Sequence, residues 1–443
     1  MKKIPVKELR EGLVFTKPAF IEGDSLFMTS GVVLKQSSID RLNNWGITEV
    51  ETDGELVVPP LVPEAAGSPA SASPLPEAPG LGSSPLPASA ASGAPAPGVQ
   101  LPDFPVSSGV FEQEISATTR AERAALRNDS KSFLSLAEVK EPSGTYRNYT
   151  ALISWLDRIF LTITAKVATD NRLIDSMTNR ILDLIRKDRS VFINFILGGE
   201  VQGHEMAKNS VNTAILSAHI AQEMRMPNHR IMQYITGALL HDVGMLRLPK
   251  ELVNKAGKLT KEELQYIKSH TLYAYKIVHE ELNYPEDLGQ LVMQHHERWD
   301  GGGYPQGLKG DEINQGARII SVADAFEAMV SQKPYRNSMI GYQAMKSLLA
   351  DNSLRFDPDV IKAFIKIMGV YPIGSIILLN NGSMARVMEI RGDAPLRPKI
   401  AILIDETGQI REQVKGETID LLSEKSLFIV RAINPKELSQ GGA

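Results

Sequence analysis

A His-Asp doublet, His241-Asp242, is followed by a second run of chemistry-bearing residues, His295-His296-Glu297-Arg298-Trp299-Asp300-Gly301-Gly302-Gly303-Tyr304-Pro305. Two adjacent imidazoles, a separate imidazole–carboxylate doublet and further carboxylates downstream make up the donor set of a two-metal hydrolytic site. All 8 histidines of the 443-residue chain fall between His204 and His296, so one segment carries the imidazole chemistry. Cysteine is absent, which excludes disulfides, thiolate catalysis and Cys-ligated zinc or iron–sulfur sites. Any metal must sit on His and carboxylate ligands, a set that suits iron, manganese or zinc.

These residues need elements to aim them. Leu239-Leu240 end an apolar helical run directly before His241-Asp242. Neighbours on a helix point about 100° apart, so the two side chains can reach two cations placed side by side, with the carboxylate between them. Taken alone, the doublet reads more simply as a helix end with a buried His bonded to Asp. His295-His296 follow another apolar run, Leu288–Gln294. The three glycines after Asp300 permit backbone geometry closed to other residues and can aim amides at a phosphate; by themselves they equally describe a turn.

The bulk numbers set limits. A chain of 443 residues predicts two to four domains. A hydrophobic fraction of 43% and a charged fraction of 23% are those of a globular protein. A net charge of −4 gives no reason to expect a nucleic-acid polymer as partner, but leaves room for a small anionic ligand. No run reaches the roughly 20 apolar residues of a membrane span, and MKKIPVKELREGLVF lacks a signal-peptide core, so a cytoplasmic location is expected.

The expected fold class is mainly α. Residues 1–57 read as a small α+β module, with strand-like pieces at Phe15–Ile21, Ser25–Thr29, Val32–Leu34 and Ile47–Thr52 and a helix at Ser37–Trp45 that stops at Gly46. The stretch 58–111, rich in Pro, Ala and Ser, cannot bury enough apolar surface to fold and reads as a disordered linker. Residues 112–198 are helical, with periodic apolar residues over Ala151–Ala165 and Leu173–Ile185, and 199–370 form an all-helical domain. Within it, Thr260 to Glu263 predict a capping box for one helix reaching Leu282, and Asp357-Pro358 start another. Residues 371–435, with Asn381-Gly382, Gly392-Asp393 and Thr407-Gly408 between β-rich runs, predict a small β-barrel or sandwich.

The spaced set resembles the HD-GYP family of cyclic di-GMP phosphodiesterases, within the HD phosphohydrolase superfamily. Leu248-Pro249, Lys258-Leu259-Thr260, Glu262-Glu263 and His270 fit the stretch between the two motifs, and Gly307-Leu308-Lys309-Gly310, Ala317-Arg318-Ile319, Asp324 and Lys333-Pro334-Tyr335-Arg336 fit its continuation. The likeness covers roughly 195–370 and makes this an HD-type domain; the opening VKELREGLVF resembles, more weakly, a small domain often found ahead of it. The resemblance implies His241, Asp242, His270, His295, His296 and Asp324 as metal ligands, with His241 and Asp242 at the catalytic centre and Asp242 as bridge. Glu205 fits an additional acidic ligand for a third metal. Gly303, Tyr304, Pro305, Lys333 and Arg336 would line the ligand. Two divalent ions, or three with Glu205, are implied, with iron or manganese expected.

Two departures stand out. Asn209 occupies a position where the family has a histidine, and Met245 one where its HDxGK has a lysine that supports the scissile phosphate. The implied activity is hydrolysis of cyclic di-GMP to pGpG and on to GMP, in bacterial second-messenger signalling. The alternatives are a domain that binds cyclic di-GMP or a signalling protein without turnover, and hydrolysis of a different nucleotide. The 112–198 helices are compatible with a homodimer. His219, His229 and His279 read as structural, the charged run Arg120–Arg127 as a solvated helix face, and Trp45 and Trp155 as core.

Overall fold

Apolar and small residues fall on every side of Glu205–Glu223, and a helix apolar all round belongs at the centre of a domain. The computed structural model, which describes residues 1–21, 25–44, 47–58, 144–166, 169–187, 196–197, 204–255, 257–331, 341–350, 355–411 and 418–433, places it there. Val211, Ile215, Leu216 and Ile220 are at most 1% exposed, each contributing about 1.5–3 kcal/mol of burial.

The N-terminal module holds β1 (Lys2–Pro5), β2 (Val14–Phe15), β3 (Ala19–Ile21), β4 (Ser25–Met28), α1 (Gln36–Asn44), β5 (Glu49–Thr52) and β6 (Leu56–Val57). Four strands form an antiparallel sheet in the order β1-β5-β3-β4, with Ile4 opposite Val50, and β2 pairs with β6. The expected strand at Val32–Leu34 reduces to a single bridge between Val14 and Val33.

The helical region comprises α2 (Gly144–Thr164), α3 (Asn171–Lys187), α4 (Glu205–Glu223), α5 (Asn228–Leu240), α6 (Lys261–Lys268), α7 (His270–Tyr275), α8 (Glu286–Met293), α9 (Gln315–Val330), α10 (Gly341–Ala350) and α11 (Pro358–Met368). Helix α4 packs against α2, α3, α5, α9 and α11, which gather the rest around it. The module joins this body through α1 on α3 and β4 on α8, and their apolar cores are continuous. At that junction Arg41, 1% exposed, places its guanidinium 4.2 Å from the centre of the Tyr284 ring and its Nε 3.7 Å from Asp175. Tyr284 in turn donates its hydroxyl to Asp175 at 3.0 Å.

The Thr260 capping box forms as the sequence predicts, with Glu263 reciprocating, and Asp357 caps α11. The single helix expected to run to Leu282 does not form. It breaks after Lys268, restarts at His270 and ends in a π-helical turn over Lys276–Glu281. Side-chain periodicity cannot register this break, because Leu264, Ile267, Ala274 and Val278 keep a helical spacing across it. One further expectation is corrected. Trp155 is 49% exposed rather than core. His229 lies buried in the first turn of α5.

The C-terminal part is one antiparallel five-stranded sheet, β7 (Ile376–Leu379), β8 (Met384–Glu389), β9 (Lys399–Ile404), β10 (Ile419–Asp420) and β11 (Ile429–Ile433), ordered β10-β9-β8-β7-β11. Asn381-Gly382 turns β7 into β8, and Gly382 takes φ +86° there. Strand β10 was not foreseen, because Ile419-Asp420 is too short to show alternation. No helix among the described residues is long and apolar enough to cross a membrane. Of the expected linker at 58–111 all but Val58, the whole of 112–143 with Arg120–Arg127, Trp45 and the helix stop at Gly46 lie outside the described residues.

Candidate metal centre

Three of the histidines are mounted in one way. His241 follows the last turn of α5, His270 opens α7 just beyond α6, and His295 follows α8. The last carbonyls of a helix have no intrahelical partner. The Nδ1 of each imidazole meets the carbonyl three residues before it: His241 to Ala238 at 2.8 Å, His270 to Ile267 at 2.8 Å and His295 to Val292 at 2.7 Å. A carbonyl can only accept, so the proton sits on Nδ1 and each Nε2 turns inward. All three Nε2 atoms are buried, and none has a hydrogen-bond partner among the described residues. An unsatisfied buried polar atom costs about 1–3 kcal/mol, so three around one point call for a common partner.

Asp242 lies between them. Its Oδ1 is 3.4 Å from His270 Nε2 and 3.8 Å from His295 Nε2, and its Oδ2 is 3.5 Å from His241 Nε2. Asp324, from α9, reaches His241 Nε2 at 3.6 Å. The imidazoles of His295 and His296 are 4.0 Å apart, and His296 lies 5.1 Å from His270. One ligand atom from each of Asp242, His270, His295 and His296 falls within 4.8 Å of the others, so the cluster is able to hold a metal ion. The separations are long for hydrogen bonds. They are close to the roughly 3–3.5 Å expected between two ligands about 2.1 Å from one cation.

The electrostatics match a cation site. Burial opposes a charge on His241, yet the carboxylates of Asp242 and Asp324 outweigh it and push its pKa up to about 9. Burial, and then neighbouring imidazoles, hold His295 and His296 well below the ordinary histidine value. The group thus carries one positive charge, on His241 between the carboxylates, while His295 and His296 stay neutral.

The loop after the histidines is held by Glu297, which is 3% exposed. Its carboxylate accepts the backbone N–H groups of Gln306 at 2.6 Å, Gly307 at 3.1 Å and Leu308 at 3.1 Å. Arg298 grips Asp300 through two hydrogen bonds of 3.0 and 2.7 Å, which holds the Asp300 carboxyl down at about 2. Gly303 is required by proximity: a Cβ there would lie 2.4 Å from the Arg298 nitrogen. Gly301 alone of the three adopts a positive φ, +83°. The Tyr304–Pro305 bond is cis, and the Tyr304 ring lies 4.8 Å from His296 and 6.5 Å from His270. Lys268 Nζ stands 4.9 Å from the Tyr304 ring centre.

The structure therefore brings His241, Asp242, His270, His295, His296 and Asp324 together, with Gly303, Tyr304 and Pro305 beside them. Glu205 stands apart from the group of four: it opens α4, is 46% exposed, and pairs with Lys208 at 2.9 Å. Asn209 is one turn further along α4. Met245 lies in the 3-10 turn Val243–Arg247 that follows Asp242. Lys333 and Arg336 lie outside the described residues. His219 is fully buried in α4, and His279 bonds the Tyr284 carbonyl at 3.0 Å. Sequence reasoning missed Glu297 and Lys268. For Glu297 a signal existed, since a carboxylate set among glycines is a natural acceptor for loop amides.

Residues 199–360 match the family described as "HD domain", and residues 376–441 the family described as "KOW domain associated with HD domain". A "Cyclic di-GMP phosphodiesterase PdeB" of Borreliella burgdorferi is 30% identical over 52% of this chain and 60% of its own. A "Cyclic di-GMP phosphodiesterase" of Thermotoga maritima is 36% identical over 38% of this chain and 46% of its own. A "3'3'-cGAMP-specific phosphodiesterase 3" of Vibrio cholerae is 31% identical over 38% and 36%. The chain spans about half the length of the first curated relatives it matches. With His241-Asp242 and the Gly303-Tyr304-Pro305 loop on one cluster able to hold a metal ion, the segment 199–360 of this chain matches the HD domain family and is similar to curated cyclic di-GMP phosphodiesterases.

Proposed function

We propose that the chain is a metal-dependent phosphodiesterase that opens cyclic di-GMP to linear pGpG and cuts that product on to GMP. The observation that carries this reading is the trio of buried Nε2 atoms, without a hydrogen-bond partner among the described residues, arranged about the Asp242 carboxylate. The curated relatives named for cyclic di-GMP supply the substrate.

The donor set fits divalent cations of borderline character, iron or manganese first. His241, Asp242, His270, His295, His296 and Asp324 would hold two of them, with Asp242 offering one oxygen to each side. Glu205 would join for a third by leaving Lys208. Such ions lower the pKa of water and withdraw charge from a phosphoryl oxygen. The chain's own residues do the remainder. Nδ1 anchoring keeps the imidazoles from turning when a ligand arrives. Glu297 keeps the Gly303-Tyr304-Pro305 loop against His296, where the Tyr304 ring can cover a bound nucleotide. Lys333 and Arg336 would neutralise its phosphates.

The test is turnover by the purified full chain loaded anaerobically with iron or with manganese, followed by chromatography for pGpG and GMP. A parallel reaction contains 3'3'-cGAMP. Metal analysis accompanies each sample. Protein that carries metal yet releases no pGpG from cyclic di-GMP would sink the proposal, and selective cleavage of the mixed dinucleotide would reassign the substrate.

A further inference from the structure

The N-terminal module and the helical body leave a hollow where they meet. Its volume is about 230 Å³, below the roughly 300–1,000 Å³ of sites for drug-sized ligands, which suits a smaller molecule. Its floor is buried: Phe27, Ser38 and Arg41 from the module and Tyr284 from the body are at most 5% exposed. Its rim is open. Val32 and Val33 are each 46% exposed, adjacent apolar side chains left in water at the mouth of the hollow. The body's share of the wall comes from the π-helical turn Lys276–Glu281 and the start of α8. Such turns are rare and recur at functional sites. This one continues the helix that His270 opens, and α8 leads to His295, so the wall is made by the far ends of two elements that carry candidate metal ligands.

Most charges on the wall are already committed. Arg41 pairs with Asp175. Glu286 accepts the Tyr275 hydroxyl at 2.7 Å and the Gln290 amide at 2.7 Å, and His279 Nε2 stands 3.2 Å from it. Lys35 and Glu280, both exposed, are not so committed. Lys35 donates to a neutral group, the side-chain oxygen of Asn283, at 2.9 Å. Glu280 takes part in no hydrogen bond or ion pair among the described residues. It lies three residues before Asn283, and both line the hollow, which sets one charge of each sign along the same stretch of rim.

We propose that this hollow binds a small zwitterion with an apolar side chain, an α-amino acid of the leucine or phenylalanine class. The carboxylate faces Lys35, the ammonium faces Glu280, and the side chain enters between Val32, Val33, Met28 and Pro285. A plain carboxylate would meet Glu280 and a plain amine would meet Lys35, whereas an α-amino acid carries both charges side by side. The site lies apart from the metal centre, so the proposal stands whatever phosphodiester that centre cleaves.

The test is isothermal titration calorimetry of the purified full chain with L-leucine and L-phenylalanine. Two further probes, 3-methylbutylamine and 4-methylpentanoate, each carry one of leucine's two charges. The variants are Lys35→Gln, Lys35→Arg, Glu280→Gln and Val32→Asp, all at exposed positions, with melting temperatures measured alongside. At least one amino acid should bind saturably, one per chain. The single-charge probes, the two glutamine variants and Val32→Asp should each bind about tenfold more weakly, and Lys35→Arg close to wild type. Saturation should also slow amide exchange over residues 276–286 and leave β7, β8 and β9 unchanged. No saturable binding of either amino acid at about 10 mM overturns the proposal. So does wild-type affinity in both glutamine variants, equal binding of a single-charge probe, or protection from exchange only outside 276–286.

Discussion

Gly244 packs directly on the backbone of His270: a methyl group at 244 would lie 1.9 Å from the His270 carbonyl oxygen and 2.6 Å from the Ala274 nitrogen. The turn after the His-Asp doublet and the helix that carries the next histidine therefore touch main chain to main chain. Neither partner is a side-chain end that can swing away.

Gly244→Ala is accordingly expected to push α7 and His270 away from Asp242. Overpacking of this kind costs about 1–3 kcal/mol. The expected outcome is a lower melting temperature together with loss of bound metal, checked by thermal denaturation and elemental analysis of one preparation. Full metal content with an unchanged melting temperature would contradict the close contact.

Glu297→Gln keeps the shape of the buried acceptor but removes its charge and turns one of its two accepting oxygens into an NH2 donor that faces a loop N–H instead of accepting from it. A loss of about 1–3 kcal/mol is expected. It should be local to the loop, so hydrogen exchange at the amides of Gln306, Gly307 and Leu308 should accelerate while α4 exchanges as before.

Metal loading should displace a proton. His241, with its pKa near 9, is protonated in metal-free protein at pH 7, and a cation on Nε2 must expel that proton. His295 and His296 are held far below their ordinary values and have none to give. Calorimetry in buffers of different ionisation enthalpy should therefore show about one proton fewer released by His241→Asn than by wild type at pH 7. The difference should shrink as the pH is raised toward 9. Equal release by both proteins at pH 7 would exclude a protonated His241.

Arg41→Ala leaves Asp175, 1% exposed, without its guanidinium. Removing one member of a buried ion pair costs about 3–5 kcal/mol. A denaturant titration should show that loss, and Asp175→Asn combined with Arg41→Met should recover part of it. A change under 1 kcal/mol in the single variant would show that water reaches the junction.

The ligand types were legible in the sequence because a metal site needs particular atoms, and His241, Asp242, His270, His295, His296 and Asp324 are spaced by the helices that carry them. The mounting of those ligands was not legible. Hydrogen bonds from Nδ1 to carbonyls three residues back depend on where each helix ends, and the break at Ser269 that frees His270 leaves the apolar spacing intact. Lys268 escaped notice because nothing in its neighbours marks it; only the approach of its ammonium to the Tyr304 ring does. Trp155 was misread because an aromatic ring on an apolar helix predicts burial, and α2 turns that position to solvent. The C-terminal hairpins followed from Asn381-Gly382 and Thr407-Gly408, while β10 depends on pairing with β9 alone.

The tethering of His241, His270 and His295 to main-chain carbonyls has one more consequence. The socket's walls are set by the same bonds that finish its helices, so the ion arrives at a cup already made and spends little of its affinity on building one. Ions of similar size and charge should then exchange through the site without the protein refolding around each, and selection among them falls to their supply in the cell and to the stubbornness of their hydration shells.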